Sequence, residues 1–109
     1  MITAVCAMVL GALLGGSDLA DRWRTVQSER ARVAEIAASL DRFQWLVLED
    51  LAEARHRFLH RDRRQGNEEV RVFIAARERA TKVGVPDELA VYRLADQIIR
   101  ERDKQAHAR

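Results

Sequence analysis

An apolar repeat that runs from Leu19 to Phe58 without a proline or glycine constrains this chain more than any other feature. Leu19, Trp23, Val26, Arg30, Val33, Ala37, Leu40, Gln44, Val47, Leu51, Ala54 and Phe58 step alternately by four and three. That spacing holds one face of an α-helix toward a partner for about eleven turns. Ile36, Phe43, Leu46 and Leu59 widen the stripe beyond a narrow two-stranded seam, as a globular bundle needs. Ser17 or Asp18 can cap its start. The pattern predicts one continuous helix to about Arg64.

Two shorter helices follow. Gln65-Gly66-Asn67 reads as a helix stop and a new cap, with Gly66 fit for the left-handed residue and Asn67 for the N-cap. Glu68 and Glu69 then place negative charge at the positive end of a second helix. Its inner face is Val72, Phe73, Ala76, Ala80 and Val83. Gly84-Val85-Pro86 breaks it, and Asp87-Glu88 open a third helix. Leu94, Ala95 and Ile98 face inward there, a line that Arg102 and Gln105 continue. The expected fold class is therefore all-α, one long helix plus two shorter ones in a single domain over residues 18–109. Helices so unequal leave the long stripe uncovered within one chain. A second copy would cover it, which predicts an intertwined helical-bundle dimer.

Residues 1–17 form an apolar leader, with Ile2 to Leu14 apolar or small and Gly15-Gly16-Ser17 before the first charge at Asp18. A secretory signal has such an apolar core and small-residue zone, although no positive side chain precedes it. The run falls short of the roughly 20 residues of a spanning helix. Export, a core helix and an anchor remain the three readings. The first places the protein in the periplasm or outside the cell, and a core helix leaves it in the cytoplasm. A membrane is a partner only through an uncleaved leader. Cys6, the one cysteine, lies in this leader and excludes an internal disulfide.

The net charge of +2 does not call for a nucleic-acid partner, and none is expected. Arginine carries nearly all the positive charge, since Lys82 and Lys104 are the only lysines. Arg55, His56, Arg57, His60, Arg61, Arg63 and Arg64 make a basic end to the long helix, where cations complement the dipole. His56 and His60 have chelating i, i+4 spacing, and Glu53-x-x-His56 resembles half of a carboxylate-bridged site. Both histidines sit off the seam and no second inward glutamate joins them, so no metal and no cofactor are expected. The chain has no Gly-rich phosphate loop and no Ser-His-Asp arrangement.

Four polar residues break the pattern without leaving the inner faces: Arg30 and Gln44 on the long helix, Arg102 and Gln105 on the third. Arg30 and Gln44 can set register or pair across an interface, while Arg102 and Gln105 can lie beyond the packed region. Alternatively they line a polar pocket between helices, suited to a small anion bearing carboxylate or ether oxygens.

Gly84-Val85-Pro86-Asp87-Glu88-Leu89 through Asp96-Gln97-Ile98 to Gln105 resembles the third-helix region of the AroQ-class chorismate mutases, in their exported branch. That all-helical family has one long and two shorter helices. The resemblance implies a rearrangement of chorismate to prephenate, with Gln105 near the ether oxygen and Glu69 at the substrate hydroxyl. It makes Arg30 the first-helix arginine that holds a carboxylate, with a second among Arg55, Arg57 and Arg102, and Gln44 beside the substrate. The family's first-helix lysine has no counterpart before Lys82, and Glu68 stands where the family has arginine. A weakly active or inactive relative that binds a similar dicarboxylate is therefore included in the expectation. The alternative is a non-enzymatic helical interaction or scaffold protein, exported or peripheral to a membrane.

Overall fold

In a computed structural model that describes residues 17–62, 64 and 67–108, the chain is all-helical. The leader with Cys6, Arg63 and the Gln65-Gly66 helix stop lie outside the described residues. Among these residues four helices run in order: α1 (Ser17–Ser39), α2 (Arg42–Leu59), α3 (Glu68–Lys82) and α4 (Leu89–His107).

The single helix expected over residues 18–64 is thus two, divided at Leu40-Asp41. Its interruption is a capping box. The Asp41 carboxylate accepts the Gln44 backbone N–H at 2.7 Å, and the Asp41 N–H donates to Gln44 Oε1 at 2.9 Å. Asp41 has extended backbone, as an N-cap does. Leu40 and Trp45 occupy the flanking positions of a hydrophobic staple, both half-buried against the core. On the other side, Ser39 Oγ donates to the Ile36 carbonyl at 2.8 Å and satisfies an end group of α1. Local hydrogen bonding overrides the periodicity here.

The chain divides into two units, with the boundary inside α1 between Arg32 and Val33. In the first, residues 17–32 are one helical segment on which Leu19, Trp23 and Val26 are exposed. The second unit, Val33–Arg109, holds the core. There α2 is the central helix, packed against both α3 and α4. Gln44 meets Val83 and the Phe58 ring packs at a tilt against Phe73, with centroids 4.9 Å apart, so α2 and α3 run antiparallel. Leu51 lies with Val91, and Arg55 with Asp96. His60 shares a groove with Asp103, so α4 runs the same way as α2.

Leu48, Leu51, Ile36 and Val91 are the largest fully buried side chains. Alanines at 52, 54, 76, 80, 90 and 95 fill the remaining core and let the helix backbones approach closely. Burying each large aliphatic contributes about 1.5–3 kcal/mol. Ala76, Ala80, Leu94 and Ala95 are buried as their spacing predicts, whereas Val72 is exposed and Phe73, Val83 and Ile98 are half-buried.

The loop between α3 and α4 is set by Gly84, whose φ is +91°. Val85 N–H donates to the Ala80 carbonyl at 2.9 Å and Gly84 N–H to Thr81 at 3.1 Å, which together form a Schellman cap. Val85 is then buried, and Gln44 Nε2 donates to the Val83 carbonyl at 3.0 Å. One glutamine therefore closes the cap of α2 and ties it to the end of α3. Asn67 holds the N-cap position of α3 without a side-chain cap bond.

Candidate functional site

Two grooves flank the contact of α2 with α4. The first, about 530 Å³, is lined by Glu49, Asp50, Glu53 and Arg57 of α2 and by Ile98, Ile99, Glu101, Arg102 and Gln105 of α4. Arg57, Arg102 and Gln105, three of the expected site residues, come together there. Glu53 stands between the two arginines. One of its oxygens accepts Arg57 Nε at 3.0 Å, and the other is ion-paired with Arg102. Four carboxylates face two guanidiniums across the groove. Its volume suits a small ligand, but its charge opposes a dianion.

Arg55 points into the second groove, about 320 Å³, together with His56, His60, Asp96, Arg100 and Asp103. Arg55 is ion-paired with Asp96 and lies over the Tyr92 ring at 5.5 Å. Its charge too is matched within the chain.

Gln44 and Glu69, in the same unit, do not line these grooves. Gln44 is at the start of α2, engaged with Asp41 and Val83. Glu69 is half-buried in the first turn of α3, where its charge complements the helix end. Arg30 is exposed on α1, in the first unit.

Sequence reasoning missed a polar network around the α3–α4 loop. Asp87 accepts Arg77 Nη2 at 2.9 Å and the Tyr92 hydroxyl at 2.5 Å. These bonds, the Tyr92 one foremost, hold the Asp87 carboxyl below the usual carboxylate range. Burial, followed by the bond to Asp87, pushes the Tyr92 hydroxyl above its usual value. Asp87 had read as a helix opener, and the five-residue step to Tyr92 carries no motif. The Glu53 to Arg57 pair was legible as i, i+4 spacing. The pairing of Glu53 with Arg102 was not.

Among the described residues no helix is long and apolar enough to cross a membrane. The chain matches no protein-family model, no curated protein and no solved structure.

Proposed function

We propose that this chain is a non-catalytic helical association module whose partner is a second copy of itself. The carrying observation is one stripe in two states. Val33 is 7 % exposed, while Trp23, ten residues earlier in the same 3-4 register, is 61 % exposed. The chain covers the stripe from Val33 onward and leaves Leu19, Trp23 and Val26 open to water. Phe43 and Leu46 on α2 are exposed as well. Large apolar side chains presented at helical spacing favour pairing with another helix. The arginines best placed for an anionic ligand are already matched by Glu53 and Asp96.

Sedimentation equilibrium over a wide concentration range tests the reading. The wild-type chain is expected to show a concentration-dependent mass, and Trp23→Glu and Leu19→Glu to remain monomeric with unchanged helicity. A wild-type chain that stays monomeric throughout would sink it.

The grouping of Arg57, Arg102 and Gln105 in one groove favours a second reading, a chorismate mutase-like protein or an inactive relative. Under it no nucleophile or metal is needed. The groove would hold the substrate in a compact near-attack geometry, with Gln105 aimed at the ether oxygen. Loss of chorismate absorbance on incubation supports this reading. No turnover, together with no chorismate-dependent rise in melting temperature, excludes it.

A further inference from the structure

We propose that His56 and His60 form a two-imidazole chelate for a borderline divalent transition cation of the nickel or copper type. The two rings lie on successive turns with centroids 4.3 Å apart and planes tilted by 45°. A metal about 2.1 Å from a nitrogen of each ring, with the ligands cis at about 90°, places the centroids roughly 4.5 Å apart. Rings this close on one helix can each turn one nitrogen toward a shared ion. Imidazole ligands suit nickel and copper, and affinity along the divalent series peaks at copper.

The tautomer is also arranged. His60 Nδ1 lies 2.9 Å from the His56 carbonyl oxygen, which can only accept, so Nδ1 carries the proton. That leaves Nε2 of His60 as the lone-pair nitrogen. A backbone carbonyl orienting the ring through its other nitrogen is the usual second shell of a metal-bound histidine. Of the nearby cations, Arg55 is paired with Asp96, while Arg61 is drawn away to the Phe58 carbonyl and ring. Asp103 and Arg100 line the same groove beside the Arg55–Asp96 pair, so its fixed charges balance. Among the described residues no three His, Cys, Asp or Glu side chains gather as a metal cluster. Water therefore completes the coordination.

Calorimetric titration of the full chain with Ni²⁺ in a non-coordinating buffer tests the site. The wild type is expected to bind one ion per chain and to melt at higher temperature when loaded. His56→Gln and His60→Gln should each weaken binding by roughly tenfold or more, since loss of a second-shell partner alone costs that much. His107→Gln should bind as the wild type does. Circular dichroism without metal establishes that each variant is folded. Absence of saturable wild-type binding overturns the proposal, as does undiminished binding by folded His56→Gln and His60→Gln. Loss of binding in His107→Gln does so equally, because it places the ion elsewhere.

Discussion

The Tyr92 hydroxyl donates to Asp87 Oδ1 at 2.5 Å, across the start of α4. Removing the Tyr92 proton deletes this bond and sets two anions side by side. Burial is the larger cause and this bond the next, and together they hold the folded-state value above the ordinary one near about 10. A group raised in the folded state contributes stability that is complete below its unfolded value and is lost as pH climbs through the folded one. Stability should therefore fall from about pH 10 upward. Tyr92 is the chain's one tyrosine, so tyrosinate absorbance reports it alone. Its titration midpoint should lie above that of the urea-unfolded chain, and coincident midpoints would refute the raised folded-state value.

Asp87 gives the mirror effect in acid. Its carboxyl is depressed by the Tyr92 hydroxyl first and by Arg77 second. The stability it contributes is present above the unfolded value, about 3.9, and is lost as pH falls through the folded one. Tyr92→Phe removes the larger cause. In that variant the Asp87 titration, followed by NMR of its carboxyl carbon, should move toward higher pH. Arg77→Gln, which removes a charge next to the carboxylate, should move it in the same direction.

The break between α1 and α2 rests on Asp41. Asp41→Ala removes the oxygen that accepts the Gln44 N–H and should cost about 1 kcal/mol in urea unfolding. Gln44→Ala loses its half of the box together with the bond to Val83, which is part-buried. It should cost more than Asp41→Ala, by a further 0.5–1.5 kcal/mol or so. Equal losses would mean that the link to α3 contributes nothing.

Gln44 also shows where sequence reading succeeds and fails. Its place on the inner stripe was legible from spacing, as were the buried Leu51, Ala54, Ala76, Ala80 and Leu94. Asp41-x-x-Gln44 is a capping box that the sequence displays openly. Gln44 also fits the 3-4 repeat, so the apolar stripe reads straight across the box. Leu48, the most buried residue, lies one position off the strict stripe, on a face widened by the second packing partner of α2. The pairing of Arg55 with Asp96 joins residues 41 positions apart. No local rule reaches that far, so the site arginines looked available for a ligand when they were already engaged.

Gly84→Ala tests the Schellman cap and its neighbour together. The positive φ makes an L side chain unfavourable by about 1–2 kcal/mol. A Cβ there would also come within 3.2 Å of Gln44 Nε2, a contact that the glutamine can relieve only by giving up some of its bond to Val83. In the Gln44→Ala background the steric part disappears and the backbone part remains. The double mutant should therefore lose less than the sum of the two single losses. Strict additivity in a double-mutant cycle would show that the loop and the α2 cap are independent.

Glu53→Gln separates the two functional readings. Glu53 joins Arg57 to Arg102, yet both arginines are substantially exposed, at 67 % and 47 %. Exposed pairs contribute at most about 1 kcal/mol, and a glutamine can still accept hydrogen bonds, so stability should change by less than that. The effect on charge is larger in consequence. The groove then sets three carboxylates against the two guanidiniums rather than four. If a dicarboxylate is the ligand, Glu53→Gln should bind chorismate more tightly than the wild type, because its arginines no longer need to be pulled from a full charge. Under the association reading neither protein binds it, and the concentration-dependent mass of the two is the same. Tighter chorismate binding by Glu53→Gln with no self-association in either protein would favour the mutase-like reading over association.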